Sequence, residues 1–503
     1  MRKNLLFTVV VCAISAAFPV YTAQAQTVQP AQPPTAQPAQ PPARPVPVPT
    51  WTGAASMDAN SISKGIIDWS KTAQEIDGFG ASAAFHMSGN LMNFPEPQRS
   101  EILDLLFSPT KGAGLSIERN YVGDGGSWGS KTNGPAPSIE PQEGVWNWTG
   151  DEDEIWLMQE AGKRGSTRFM STVWSPPAWM KTNNNVIGGH LRPDKYLAFA
   201  EYLSMYVRGY KEHHGIDIYA ISLANEPDVT VRYSSCNWTG KEFHDFLKFL
   251  IPVFERDKIT AKVIVGEHSA WTENPVLESL QDSVTAARID IVGVHAYHAA
   301  DKDPFPPIAQ RVGPLVETLK QKKKIWQTEA ANLGWNFPDI RDGIYWAKVL
   351  HTHVAENFAN AWLYWWAVSQ SNNGGSMIHM NMDKKTYTVD KRLYTIGNYS
   401  RFVRPGYFRI HTNSELMPGV LVSAYKSEPE NKLVVVVINE NVIARKLELS
   451  LVGINAISAV PCRTSLTEDL VSLPELRITD NILKATLAPG SVTTFLVPIK
   501  LPQ

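Results

Sequence analysis

Residues 216–226, "IDIYAISLANE", form an apolar run that stops abruptly at an amide and a carboxylate, with Pro227 and Asp228 following. A near-continuous apolar run of this length reads as a strand covered on both faces, as in a parallel sheet. Seven other segments read as strands, several of them with the same texture: "EIDGFGASAAF" (75–85), "GLSIERNYVG" (114–123), "TRFMSTVWS" (167–175), "AKVIVGEHS" (261–269), "IDIVGVHAY" (289–297), "KIWQTEA" (324–330) and "NAWLYWWAV" (360–368). Helical patterns lie between them. After Arg192, Pro193 suits a first helical position, and Tyr196, Ala200, Leu203, Val207 and Tyr210 share one face. Residues 241–254 are patterned alike. Eight βα alternations predict a (β/α)8 barrel over residues 76–403. A doubly wound sheet is the alternative, but no Gly-rich phosphate fingerprint follows the first strand.

The flanks differ from this core. Arg2 and Lys3 precede an apolar stretch from Leu5 to Val20, and Ala23 and Ala25 stand in A-x-A order. That is the pattern of a secretory signal peptide, residues 1–25, with cleavage after Ala25. It predicts a secreted or periplasmic protein without a transmembrane segment. Residues 26–50 are a Pro/Gln/Ala-rich linker that cannot bury a core. After residue 403 the chain turns all-β. "GVLVSAYKSEPENKLVVVVINE" (419–440) reads as two strands around a turn, and "ILKATLAPGSVTTFLVP" (482–498) as another pair. Residues 404–503 are therefore expected to form a β-sandwich side domain, with residues 51–75 adding strands to it. The net charge of −2 gives no field that would draw nucleic acid. Cys236 and Cys462 are the cysteines of the expected mature chain. Spacing does not show whether they meet.

In a barrel, the C-terminal strand ends face the active-site mouth. Strand four brings Asn225 and Glu226 there, and strand seven brings Glu329. Strand three ends near Trp174, strand six near His295 and Tyr297, and strand eight carries Trp365 and Trp366. Two carboxylates ringed by aromatics suit glycoside hydrolysis, in which one protonates the leaving oxygen and the other attacks the anomeric carbon. A strand-end Glu alone is not diagnostic, as Glu118 and Glu267 illustrate. It is the pairing of Glu226 with Glu329 that points to catalysis. No cofactor or metal is called for: His213-His214 lacks a third ligand at a recognisable spacing, and His295/His298 lacks the glutamate of a zinc-protease helix.

These residues lie in stretches that resemble glycoside hydrolase family 30: "IDGFGASAAF", "GLSIERNYVG", "WSPPAWMKTNN", "ISLANEPD", "VHAYH", "IWQTEA" and "YSRFVRPGYFRI". The resemblance runs from Ile76 to Ile410. It implies retaining hydrolysis, with Glu226 as acid/base and Glu329 as nucleophile. It also implies a sugar subsite lined by Trp174, Asn225, Tyr297 and a strand-eight Trp. Arg119 matches the family's strand-two arginine and would sit by the nucleophile, although a core-edge ion pair is the equal alternative. His295 matches by motif, and Trp179 is either a sugar platform or a packing residue.

The family's substrates are glucosylceramide, 1,4-xylan, 1,6-glucan and 1,6-galactan. The resemblance together with the secretory leader favours a polysaccharide of the plant cell wall, xylan first, cut endo-wise by a monomer. A β-1,6-galactanase or β-1,6-glucanase is the alternative, then a glucosylceramidase. A catalytically silent carbohydrate-binding barrel is the rival of another class. The segment after strand eight, "SQSNNGGSMIHMNMDKKTYTVDKR" (369–392), contains Lys384, Lys385 and Arg392 but not the arginine-and-tyrosine arrangement that reads glucuronate branches. Its lysines are read as facing solvent. The insert "DVTVRYSSCNWTG" (228–240), with Tyr233, Cys236 and Trp238, is read as a loop shaping the site.

Overall fold

The computed structural model describes residues 61–129, 134, 136–297, 305 and 312–501. The expected signal peptide, the linker, residues 51–60 and His298 lie outside these. No helix of the described residues is long and apolar enough to cross a membrane.

Eight parallel strands follow one another around a closed sheet: Gly78–Ser82, Ile117–Tyr121, Arg168–Thr172, Ile218–Ser222, Lys262–His268, Ile291–His295, Lys324–Glu329 and Ala361–Ser369. The eighth pairs with the first, Ala361 opposite Gly78, and with the seventh, Ala361 opposite Trp326. Each segment read as a strand supplies one of them, and closure excludes the doubly wound alternative. Ile117, Met170, Ala220, Ile264, Ile291, Trp326, Ala361 and Leu363 form a single buried cluster fed by seven of the strands. The barrel interior is thus packed, and its groups meet solvent only at the ends. The first strand contributes space instead of bulk. A Cβ at Gly80 would lie 2.2 Å from the Ile117 carbonyl oxygen, so the neighbouring strand requires glycine there.

The outer helices follow their apolar spacing. Tyr196–His214, entered through a 3₁₀ turn at Pro193–Lys195, buries Tyr196, Ala200, Leu203 and Tyr210. It ends at Gly215, whose φ of +70° suits the left-handed cap. Gly240–Arg256 starts with a reciprocal capping box between Thr239 and Glu242.

The side domain takes strands from both ends of the described chain. Ile62–Asp68 runs parallel to Arg445–Val452, which pairs antiparallel with Ile482–Leu487. Thr72–Ile76 joins the larger sheet beside Tyr407–Ile410. Val420–Ser427 and Lys432–Asn439 form the expected antiparallel pair. The second expected pair does not form. Ile482–Leu487 lies in the small sheet, whereas Ser491–Pro498 lies in the larger one between Lys432–Asn439 and Ser458–Thr464. Leu483, Leu487, Phe495 and Val497 all point into the core between the sheets. Crossing at Ala488-Pro489-Gly490 buries both strands there, which a hairpin within one sheet would not. Cys236 and Cys462 are buried and unpaired.

The segment after strand eight is not a plain loop. Ser376–Asn381 extends the barrel sheet parallel to strand eight and turns back antiparallel through Thr386–Val389 into the helix Lys391–Ser400.

Candidate active site

Strand four ends at Ser222, so Asn225 and Glu226 lie just beyond it rather than on it. The turn is tight: Glu226 has φ +44°, and its backbone N–H donates to the Glu267 carbonyl at 2.9 Å. Pro227 disfavours the right-handed region for Glu226, and the left-handed conformation adopted here is costly for a residue with a Cβ. Such a conformation persists only where the surroundings enforce it. Glu329 is the last residue of strand seven. Facing oxygens of Glu226 and Glu329, together with a ring nitrogen of His295, all lie within 4.8 Å of one another.

The two carboxylates have different surroundings. Glu329 Oε2 accepts from Arg119 Nη1 at 2.6 Å and Oε1 from the Tyr297 hydroxyl at 2.9 Å. Arg119 is fully buried and also donates to Asn225 Oδ1 at 2.6 Å, Glu267 Oε2 at 3.0 Å and Thr172 Oγ1 at 3.1 Å. Its guanidinium lies over the Trp174 ring, 4.6 Å from the centroid. The Arg119 guanidinium and a phenol donor thus anchor both oxygens of Glu329. Glu226 receives no such donor. Burial, and then the nearby Asp228 charge, push its carboxyl up to about 7, while Arg119 and His268 pull the other way. Nδ1 of His295 shares a hydrogen bond with Glu226 Oε1 at 3.2 Å. Burial holds the His295 ring below its usual range and therefore neutral. Burial, reinforced by Glu329, raises the Tyr297 phenol well above its ordinary value, so it remains a donor.

One acid that carries a proton near neutral pH now faces one anchored anion, with oxygens close enough for both to flank a single glycosidic bond. Carboxyl groups about 5 Å apart suit attack by the carboxylate itself, whereas wider spacings leave room for a water. Among the described residues, Glu226, His295 and Glu329 are also the group whose donor atoms could share a cation. Arg119 already supplies positive charge to Glu329 at 2.6 Å.

A cavity of about 580 Å³ is lined by Phe85, Trp128, Tyr233, Trp365 and Trp366, with Gln370 at its polar edge. Phe85 joins the wall together, its ring 5.3 Å from Trp174 and 5.2 Å from Trp128. The Trp128 indole is fixed by a 2.8 Å bond to Ser234. The insert after strand four contributes Tyr233 to this wall, while Cys236 and Trp238 turn into the core.

The expected residues Arg119, Trp174, Asn225, Glu226, His295, Tyr297, Glu329 and Trp365 are therefore gathered at one mouth, and Trp366 stacks on Trp365 at 5.0 Å. Tyr297 lies two residues beyond its strand and Trp174 two beyond its own. Arg119 satisfies both of its readings, as a buried ion pair and as the neighbour of Glu329. Trp179 stands apart from this group. Its indole donates to the Glu140 carbonyl at 3.0 Å, Lys195 lies over its ring at 5.2 Å, and it packs on the main core. Arg392 is buried in ion pairs with Asp342 at 2.7 Å and Asp390 at 3.0 Å, whereas Lys384 and Lys385 are exposed.

Sequence reasoning missed Phe85 and Trp128 as walls, Asp228 and His268 as neighbours of the acid, and Glu267 as a partner of Arg119. Strand-five alternation is broken by a register shift between Gly266 and His268. The conspicuous Gly-Glu of "VIVGEH" was the available signal.

The family model described as Glycosyl hydrolase family 59 matches residues 76–388. A glucuronoxylanase XynC of Bacillus subtilis is 31% identical over 370 residues, covering 71% of this chain and 79% of that protein. A galactocerebrosidase of Salmo salar is 26% identical over 369 residues, covering 72% of this chain but 49% of that protein. A crystal structure of a glycoside hydrolase family 30 subfamily 8 xylanase from Clostridium acetobutylicum superposes with a TM-score of 0.71. It is 28% identical and covers 87% of this chain and 100% of that one.

Proposed function

Given that the chain belongs to glycosyl hydrolase family 59 and is a glycoside hydrolase of the family-30 type, we propose that it is a secreted, retaining endo-β-glycosidase whose substrate is xylan of the plant cell wall. The observation that carries the mechanism is the pairing of Glu226, raised to about 7, with the Arg119-anchored Glu329 across less than 4.8 Å. In the first step Glu329 attacks the anomeric carbon as the glycosidic C–O bond breaks, and Glu226 gives its proton to the departing oxygen. In the second, Glu226 takes a proton from water, the water oxygen bonds to the anomeric carbon, and the ester C–O bond to Glu329 breaks. Each displacement inverts the centre, so the β-configuration is retained. Asn225, held by Arg119, is placed to meet a sugar hydroxyl.

Xylan as the substrate is supported by the relatives named glucuronoxylanase and xylanase. The aromatic cavity suits the faces of sugar rings. Its described lining includes no basic residue, and Arg392, the arginine of the strand-eight segment, is committed to Asp342 and Asp390. The enzyme is therefore proposed to read the neutral xylan backbone and not its glucuronate branches. Export accords with the leader read in residues 1–25, and the exported enzyme is proposed to act as a monomer.

The test is a panel of unsubstituted xylan, glucuronoxylan, β-1,6-glucan, β-1,6-galactan and a glycosylceramide, with product lengths analysed. Oligosaccharides from both xylans at similar rates are expected. Release of monosaccharide alone would remove the endo assignment, and turnover confined to another member of the panel would replace the substrate.

A further inference from the structure

Arg119 is bound on two sides by carboxylates, and one of them, Glu267, has no place in the two-acid chemistry. Glu267 lies within strand five, where alternation would not by itself bring it to the barrel axis beside Arg119. Two glycines admit it. Gly266, at φ +99°, begins the register shift of the strand, and Glu267 itself takes φ +51°. On strand six, a Cβ at Gly293 would come within 2.7 Å of the Glu267 Cγ. A left-handed non-glycine residue in a strand is costly and is held only by its surroundings. The side chain is wholly buried. Oε2 meets Arg119 Nη2 at 3.0 Å, and Oε1 is buried without a hydrogen bond among the described residues. Among the described residues the guanidinium is thus the one hydrogen-bonding partner of this carboxylate, and the Glu267 carbonyl also receives the Glu226 N–H.

Resting on the reading of Glu329 as nucleophile, we propose that Glu267 is a positioning residue: the permanent counter-ion that keeps Arg119 paired and in place while Glu329 is esterified by the sugar. Before attack, the single positive charge of Arg119 faces two carboxylates. When Glu329 bonds to the anomeric carbon and Glu226 loses its proton to the leaving group, Glu329 becomes a neutral ester. Without Glu267, a fully buried guanidinium that also carries Asn225 would lose its adjacent carboxylate, and an unpaired buried charge is strongly disfavoured. With Glu267 present, Arg119 remains neutralised in the intermediate. It stays poised for the carboxylate that returns when water cleaves the ester.

A thermodynamic cycle tests this in the full chain without any substrate. Urea midpoints are measured for wild type, Glu267→Gln, Glu329→Gln and the double variant at pH 7. Either single variant leaves Arg119 one carboxylate, so each midpoint shift is modest. The double variant leaves none, and its shift exceeds the sum of the two. Additive shifts overturn the proposal. A second readout separates positioning from simple support of the fold. In the pH profile of kcat/KM on an aryl xylobioside, Glu226 sets the basic limb. The titratable and charged groups around that carboxyl are Glu329, Asp228, Arg119, His268, the neutral His295 and the phenols of Tyr233 and Tyr297. Removing the Glu267 charge strengthens the Arg119 field, so the limb of Glu267→Gln moves acidward by about half a unit or more. A limb that stays in place while the rate falls also overturns the proposal. If wild type cleaves none of the glycans but the cycle is non-additive, the xylanase reading fails and the counter-ion role stands. If wild type is active and the cycle is additive, the reverse holds.

Discussion

Glu118 and Arg119 are consecutive residues of one strand, and they serve two groups of buried acids on opposite sides of the barrel wall. Inside, Arg119 joins Glu329, Glu267 and Asn225 at the mouth. Outside, Glu118 faces Glu154 and Asp151 beneath the helix Glu152–Lys163. Both groups are desolvated. Burial raises Glu118 and Glu154 well above the carboxylate range and Asp151 to about 7, much as it raises Glu226. The difference lies in the partners. The outer acids form no ion pair among the described residues. Glu154 accepts the Tyr121 N–H at 3.1 Å, and Asp151 accepts the Tyr210 hydroxyl. Near neutral pH, protonated acids of this kind serve as packing and hydrogen-bonding groups. The inner group places an anchored anion opposite a raised acid beside an aromatic cavity. A perturbed carboxyl marks a site only when a second group of opposite role faces it.

The comparison can be broken most decisively at Glu329. Glu329→Ala is expected to lose at least about 10⁴-fold in turnover. Added azide should restore it with formation of the α-glycosyl azide, because the azide takes the place of the missing carboxylate on the α face. A β-azide from this variant would contradict the assignment.

Glu226→Ala is expected to lose about 10²–10⁴-fold on xylan, the usual contribution of a positioned acid. It should lose far less on aryl glycosides with good leaving groups, and the basic limb near pH 7 should disappear from its profile. Rates measured on both substrates over pH 4–10 would decide this, and equal losses on the two would remove its role as acid.

On the outer side the effect concerns stability. Folded Glu118 has its proton affinity raised, so between the unfolded value near 4 and the folded one the native state binds the extra proton. Its contribution is full below that unfolded value and is lost as pH rises through the folded one. Glu118→Gln should therefore flatten the fall in urea midpoint on the alkaline side while leaving kcat within about twofold. A large loss of kcat would bring the outer acids into the catalytic machinery.

The smallest expected effect is at the strand-eight hairpin. Lys384→Ala combined with Lys385→Ala should change the ratio of rates on glucuronoxylan and plain xylan by less than about twofold, since exposed lysines are solvated point charges. A selective loss on glucuronoxylan would move that hairpin into the binding site.

Several features were legible in the residues alone. Eight apolar runs separated by helical patterns are enough for a barrel, because parallel strands covered on both faces leave few other arrangements. Barrel topology then brings strand ends together, so Glu226, Glu329, Trp174, His295, Tyr297 and Trp365 could be grouped from sequence. The tertiary structure decided what depends on side-chain direction and shared partners. Trp179 and Arg392 stand in promising stretches, yet one packs on the core and the other is closed in ion pairs. Glu267 looked like Glu118 until the shift at Gly266 and the space at Gly293 turned it toward Arg119. The crossing of Ile482–Leu487 and Ser491–Pro498 into different sheets likewise depends on a core built from both sheets at once. Periodicity reports which face of an element is buried. It does not report which distant group waits there, and for the carboxyls of this protein that neighbour separates an acid placed for proton transfer from one that only packs.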